Sequence, residues 1–143
     1  MKEYFVIGLM SGTSLDGLDI AYCSFTFNES WSYKILNFTT VPYTSIFKEK
    51  LRNAPLLSDS DRILLSEDFG TFTAVELQRF LEVNSITKPH LIASHGHTVF
   101  HEPDKGVTLQ IGDPKPIYEA VNVPVVYDFR TQDVALGGQG APL

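Results

Sequence analysis

The first third of the chain alternates apolar and polar residues at the spacing of β-strands. Three such runs, at residues 4–9, 18–27 and 32–43, are separated by a polar loop and by a short turn at residues 28–30. Runs joined in this way predict three consecutive strands that pair antiparallel as a meander. In the second run both parities carry apolar residues, which predicts a sheet covered on both faces.

The pattern becomes helical after Pro42. Residues 45–52 predict a short helix, and Asp59 or Ser60 is predicted to cap a long helix with apolar residues at helical spacing. Gly70 falls in the middle of that long helix, where glycine weakens helical structure.

The last third of the chain returns to short apolar runs. They predict strands at residues 91–93, 107–111 and 123–127. Between the last two strands, Pro114 or Pro116 is predicted to open a helix, because proline is favoured in the first helical turn.

This order of elements predicts an α/β domain of the ribonuclease-H-like type. Its mixed sheet has a three-stranded antiparallel meander followed by alternating helices and parallel strands. Polar clusters at residues 11–19, 94–97, 110–113 and 128–133 each follow a predicted strand. Because loops at strand ends converge in such sheets, we expect these clusters to form the functional site.

Composition narrows the class of partner. The 143 residues fit one domain, and 11 Lys and Arg against 17 Asp and Glu give a net charge of −6 without a basic run. This charge argues against nucleic acid and anionic membranes as partners and favours a small molecule. The single cysteine, Cys23, cannot form an internal disulfide and is predicted to be a small buried hydrophobe.

Targeting signals are not evident in the sequence. It has no apolar stretch of roughly 18 residues, and its start lacks a basic region followed by an apolar export segment. We therefore expect a cytoplasmic protein.

The loop in "GLMSGTSLDGLD", residues 8–19, is longer than the roughly two residues that a tight hairpin needs. Its small polar residues either build a turn or surround an oxyanion such as phosphate, and the residues alone leave both open. Asp16 and Asp19 would assist a phosphate through magnesium and water. Otherwise Asp16 ends the turn and Asp19 pairs with a surface base.

His95, Gly96 and His97 allow three interpretations. Residues two apart on an extended segment point to one side, so the two histidines, with His101 and Asp113 nearby, would suit a zinc hydrolase. They would equally suit contacts to a sugar or to backbone. Alternatively they are core histidines with satisfied hydrogen bonds, because Gly96 lets the chain bend and separate the rings.

Two features mark the end of the chain. Asp128 and Arg130 follow the last predicted strand, either as a structural ion pair or with the guanidinium gripping an anion. The glycine-rich stretch at residues 136–143 is an unusual place for a chain to stop. We expect the polypeptide to be the front part of a longer protein.

Four stretches together resemble the anhydro-N-acetylmuramic acid kinases: "GLMSGTSLDGLD", "ASHGHTVFHEP", "TLQIGDP" and "VVYDFRTQDVALGGQGAPL". The resemblance implies an actin-like ATPase fold and an ATP- and magnesium-dependent reaction in peptidoglycan recycling. In that reaction, water opens the 1,6-anhydro ring of anhydro-N-acetylmuramic acid. The γ-phosphoryl group passes to the freed 6-oxygen, giving the 6-phosphate and ADP.

The resemblance also assigns residues. It places the ATP phosphates, with magnesium held through water at Asp16 and no direct metal ligand, on the loop formed by Gly12, Thr13, Ser14, Leu15, Asp16, Gly17, Leu18 and Asp19. The sugar side of the cleft would be lined by His95, His97, Asp113 and Arg130.

Length sets the limit of the assignment. Residues 1–143 would be the N-terminal lobe of a two-lobed kinase, with the catalytic base in a C-terminal lobe absent from this chain. No catalytic residue is therefore assigned, and the chain alone is expected to be inactive. A homodimer is left open. A histidine-based metal hydrolase and a non-catalytic nucleotide-binding module remain the alternatives.

Overall fold

A computed structural model describes residues 2–140 as a mixed sheet of six strands with four α-helices. This confirms the predicted mixed α/β class. The last three residues of the glycine-rich end, Ala141, Pro142 and Leu143, lie outside the described residues. The strands are β1 (Lys2–Ser11), β2 (Gly17–Asn28), β3 (Ser30–Pro42), β4 (Leu91–Glu102), β5 (Val107–Ile111) and β6 (Val125–Tyr127). The helices are α1 (Ser45–Arg52), α2 (Asp59–Val83), α3 (Pro114–Val121) and α4 (Phe129–Ala135).

The sheet has the order β3-β2-β1-β4-β5. Strands β1, β2 and β3 pair antiparallel in chain order, and β4 lies parallel to β1. Strand β6 pairs parallel with the first half of β4, and β5 pairs antiparallel with the second half. The predicted alternation of helices with parallel strands is therefore wrong for β5. Only a short turn at Pro103–Lys105 separates β4 from β5, whereas a parallel pair needs a long crossover.

Local capping determines where the helices begin. The predicted cap of the long helix, Asp59 or Ser60, is wrong by one or two residues, because the Ser58 hydroxyl caps α2 and accepts from the Asp61 N–H at 3.2 Å. Gly70 does not interrupt α2. A Cβ there would lie 2.3 Å from the carbonyl oxygen of Asp113, so glycine allows the backbone at the start of α3 to approach α2 closely. Among the described helices, none is long and apolar enough to cross a membrane.

The hydrophobic core lies between the sheet and the helices. Alternate residues of β1, Ile7 and Leu9, are buried together with Phe69 and Leu77 of α2. The opposite face is less covered by the described residues, and Cys23 on β2 is only half-buried. The prediction that the sheet is covered on both faces is therefore correct only for the face that packs against the helices. Strand β3, at the sheet edge, exposes large apolar side chains: Trp31, Tyr33, Ile35 and Phe38.

Candidate functional site

The loop between β1 and β2 is a short turn held between two paired strands. Ser11 pairs with Leu18 at its base, and the Leu15 N–H donates to the Gly12 carbonyl at 3.2 Å. This bond places Thr13 and Ser14 at the tip of the turn. The left-handed backbone of Leu15, with φ of 59°, lets its side chain turn back into the core. The loop is thus anchored at both ends by buried groups.

Of the eight residues of the predicted phosphate loop, Gly12 and Gly17 have no side chain and the other six divide into two groups. The side chains of Leu15 and Leu18 are buried in the core, so these residues offer a ligand only their backbone. Exposed polar side chains are presented by Thr13, Ser14, Asp16 and Asp19. Of these, Asp19 accepts a hydrogen bond from Thr40 Oγ1 of β3 at 2.5 Å, so its partner is a hydroxyl and not the surface base suggested by the sequence.

Strand β4 runs through the histidine cluster instead of ending before it. Between the pairs Leu9–Ser94 and Ser11–His97, β4 carries one residue more than β1. Such a bulge needs an unusual backbone conformation, and Gly96 supplies it with φ of 74°. The prediction that this cluster follows a short strand is therefore wrong. The bulge accommodates the extra residue, so β4 continues past the histidines and pairs with β5.

His97 is buried in a hydrogen-bonded chain. Its Nδ1 lies 3.0 Å from Ser11 Oγ, and the Tyr43 hydroxyl donates to the same oxygen at 2.7 Å. Burial, with a smaller effect from His95, lowers the pKa of His97 to about 4. Burial likewise raises the pKa of Tyr43 to about 12. The role of Tyr43 was not predicted, because nothing in its local sequence indicates a contact with β1.

His95 has different neighbours from His97. Its Nδ1 lies 2.9 Å from the Gly96 carbonyl oxygen, and its ring centre is 6.1 Å from that of Phe129 on α4. Burial lowers the pKa of His95, and the positive charge of Arg130 lowers it further. Within residues 2–140, His95 Nε2 and Arg130 Nε are both buried without a hydrogen-bond partner. His95 and Arg130 therefore form a polar group between β4 and α4.

Helix α4, which was not predicted, changes the setting of the last polar cluster. The Asp128 carboxylate accepts from Thr131 Oγ1 at 2.6 Å, in the first turn of that helix. No ion pair joins Asp128 to Arg130, although both residues are described. The structural ion pair considered from the sequence is therefore not formed.

Asp113 lies at the start of α3. Its carboxylate accepts from the Lys115 N–H at 2.9 Å, and its own N–H donates to the Ser66 carbonyl at 3.0 Å. Asp113 and Asp128 also line one open pocket of about 550 Å³ beside α2. The structure thus separates the four predicted sugar-side residues into Asp113 at this pocket, His95 with Arg130, and His97 beside the loop.

A metal site is not assembled around the histidines. The described part of the chain contains no group of three or more His, Cys, Asp or Glu side chains placed to hold an ion. The donor set that a zinc hydrolase would need is therefore absent from residues 2–140.

Comparison with known proteins gives one consistent family. The family described as "Anhydro-N-acetylmuramic acid kinase" matches residues 4–143. Proteins with that name are 37% identical in Bacillus thuringiensis subsp. konkukian, 39% in Zymomonas mobilis and 40% in Shewanella woodyi. These matches cover 97%, 96% and 99% of this chain but 39%, 40% and 39% of the relatives. The chain thus spans about two fifths of the length of the curated relatives it matches.

Proposed function

Because the chain belongs to the anhydro-N-acetylmuramic acid kinase family, we propose that it is the N-terminal lobe of an ATP-dependent sugar kinase. The proposed fold is the actin-like, ribonuclease-H-like ATPase fold, completed by a second lobe. The proposed reaction adds water across the 1,6-anhydro bond of anhydro-N-acetylmuramic acid and transfers the γ-phosphoryl group of ATP to the freed 6-oxygen. The products are N-acetylmuramic acid 6-phosphate and ADP, as peptidoglycan recycling requires.

The β1–β2 loop is the observation that carries this proposal. It presents backbone groups and the exposed side chains of Thr13, Ser14 and Asp16 between two paired strands, with Leu15 and Leu18 anchored in the core. Enzymatic phosphoryl transfer depends mainly on positioning and on charge stabilisation. A compact turn of hydrogen-bond donors on a rigid scaffold meets the first requirement.

Asp16 is the carboxylate best placed to assist a metal ion. Its side chain is exposed at the end of the loop, whereas Asp19 is held by Thr40. We assign Asp16 to a water molecule of magnesium and propose no direct protein ligand. A magnesium ion, when bound, neutralises charge on the phosphates. Asp16 would orient one of its waters by accepting a hydrogen bond.

The sugar side is assigned to His95, His97, Asp113 and Arg130. Among residues 2–140, His95 Nε2 and Arg130 Nε are buried without a hydrogen-bond partner, which supports this placement because buried polar atoms normally find one. The Asp113 carboxylate caps α3 and that of Asp128 accepts from Thr131 Oγ1, so each already has a structural role. We therefore place the base that activates water outside this chain.

The test of this function is product formation by a protein that continues this chain through the rest of the family's length, here called the extended protein. With ATP, magnesium and anhydro-N-acetylmuramic acid, it should release ADP and the sugar 6-phosphate in equal amounts. Ring opening that proceeds without ATP and requires zinc would favour the hydrolase. Nucleotide binding without either product would favour the non-catalytic module.

A further inference from the structure

The buried bonds around Ser11 define where each proton lies. Ser11 is fully buried, and its Oγ forms hydrogen bonds with the Tyr43 hydroxyl at 2.7 Å and with His97 Nδ1 at 3.0 Å. A tyrosine hydroxyl has one hydrogen, and that of Tyr43 is donated to Ser11. The single hydrogen of Ser11 is then free to be donated in turn.

The acceptor for that hydrogen is Nδ1 of His97. If Nδ1 itself carried a hydrogen and donated it to Ser11, the Ser11 hydrogen would have no acceptor among the described residues. An unpaired buried polar group costs about 1–3 kcal/mol, which disfavours that arrangement. His97, which burial holds uncharged, therefore carries its hydrogen on Nε2.

The bonds of His95 require the opposite arrangement. Its Nδ1 lies 2.9 Å from the Gly96 carbonyl oxygen, which can only accept, so Nδ1 carries the hydrogen. In the neutral ring Nε2 is then an unprotonated acceptor. This atom is buried without a donor among residues 2–140, on a residue that is 9% exposed. An O–H or N–H group of a ligand is the chemistry that would satisfy it.

We infer that His95 and His97 are neutral histidines in opposite tautomers, and that Ser11 and Tyr43 are positioning residues that hold His97 as the Nε2–H form. His95 then accepts a hydrogen bond at Nε2, and His97 can donate one at Nε2. The two tautomers rest on the hydrogen bonds alone. Their use toward a hydroxyl-bearing sugar rests on the proposed function, because it assumes that the sugar lies on this side of the cleft.

Nitrogen NMR of the ¹⁵N-labelled 143-residue chain at neutral pH tests the inference without ATP or sugar. Protonated and bare ring nitrogens have well separated shifts, so each tautomer is read directly. His90 is the internal reference, because the Phe5 N–H donates to its Nδ1 at 2.9 Å and requires the Nε2–H form. We expect His97 to match His90 and His95 to show the reverse. Protonation of His97 at Nδ1, or of His95 at Nε2, would overturn the assignment.

Two substitutions test the positioning residues. Ser11→Ala removes the donor to His97, and the nearly isosteric Tyr43→Phe removes the bond that orients the Ser11 hydrogen. Each should convert His97 from one tautomer to a mixture while His90 is unchanged. Tyr33→Phe removes an exposed hydroxyl of β3 and is the matched control, with no expected change. If Ser11→Ala fails to fold, the test rests on Tyr43→Phe. An unaltered His97 tautomer in the Tyr43→Phe variant would refute the positioning role of Ser11 and Tyr43.

The inference and the proposed function fail separately. An extended protein that makes the sugar 6-phosphate while His97 is protonated at Nδ1 keeps the function and refutes the inference. If the tautomers are as expected but the extended protein forms no product, the tautomer assignment stands and the proposed contact of these histidines with a sugar is refuted.

Discussion

Two carboxylates three residues apart, Asp16 and Asp19, have different surroundings in the loop region. Asp19 lies on β2 and is bonded to Thr40 of the neighbouring strand, while Asp16 is exposed at the end of the turn. A carboxylate that already accepts a hydrogen bond within the sheet is less available to a ligand. The structure therefore leaves Asp16 more accessible than Asp19 to a magnesium-bound water, the partner proposed for it.

The substitution Asp16→Asn in the extended protein tests that role. It keeps the size of the side chain and removes its charge, so turnover should fall on the order of 10- to 100-fold, as is typical for partners of metal-bound water. The free energy of unfolding should change little, because the site is an exposed loop. Turnover at matched magnesium and chemical unfolding are the measurements. Asp104→Asn, at an exposed carboxylate between β4 and β5, is the control, and equal activity of the two variants would assign Asp16 to the turn alone.

Burial of His97 makes stability depend on pH. Its pKa falls from 6.5 to about 4 on folding, so between these values the unfolded chain binds more protons than the native one. The free energy of unfolding should therefore rise with pH across this window, by at most about 3 kcal/mol, and should lose this contribution as the pH falls toward 4. Denaturant unfolding of the 143-residue chain between pH 4 and 7 measures the slope.

His97→Asn should flatten this pH dependence. His101→Asn, at an exposed position of the same strand, is the matched control and should keep the wild-type slope. An unchanged slope in His97→Asn would mean that the folded chain does not hold this histidine uncharged.

At the scale of elements, β4 organises the site because it contacts β1, β5 and β6. The bulge at Gly96 shifts its register by one residue, so that His97 pairs with Ser11 at the base of the β1–β2 loop. A Cβ at Gly96 would lie 2.4 Å from the Ile111 carbonyl oxygen of β5. The bulge and the β4–β5 pairing thus depend on the same small residue.

Gly96→Ala should destabilise the chain by about 2–4 kcal/mol, because it combines a left-handed backbone with a backbone clash. Gly8→Ala, on β1, is the matched control, since nothing lies within 4 Å of its added carbon. Gly106→Ala separates the two effects, because Gly106 has φ of 69° but open space around it. Chemical unfolding should rank the losses in the order Gly96, Gly106, Gly8. A loss at Gly96 no larger than that at Gly106 would contradict the clash.

At the scale of the whole molecule, residues 2–140 form one sheet with helices packed mainly on one side, and the β1–β2 loop lies at the end of two inner strands. The relatives of the chain are about two and a half times as long, since the matched region is 39–40% of their length. Phosphoryl transfer needs both reactants held in line, and the β1–β2 loop is proposed to supply only the phosphate-binding part of that task.

The 143-residue chain alone should therefore bind nucleotide weakly and show no ring opening above background. Loss of a general base typically lowers the rate on the order of 10²- to 10⁴-fold, and loss of positioning lowers it further. ADP release and sugar 6-phosphate formation by this chain and by the extended protein, with the same substrates, form the comparison. Turnover by the short chain equal to that of the extended protein would place the base within residues 1–143, with Asp113 and Asp128 as the first candidates.

Local sequence determined most of the elements of this protein. Helix α1 and strand β5 have the predicted bounds, and the β1–β2 loop lies where the polar residues interrupt two apolar runs. These features depend on apolar spacing, capping groups and turn residues within a few positions of each other, which a single sequence displays. The β1–β2 loop could be located in this way, and phosphate as its ligand remains a prediction.

Tertiary structure alone decided how the polar residues are arranged. The Ser11–His97 and Tyr43–Ser11 bonds join residues 86 and 32 positions apart, and the direction of β5, the length of β4 and the start of α4 at Phe129 were not predicted correctly. Spacing within the sequence left open whether His95 and His97 share neighbours, because Gly96 allows the chain to bend between them. The bulge at Gly96 separates them, because strand pairing with β1 and β5, rather than local periodicity, sets the direction of each ring.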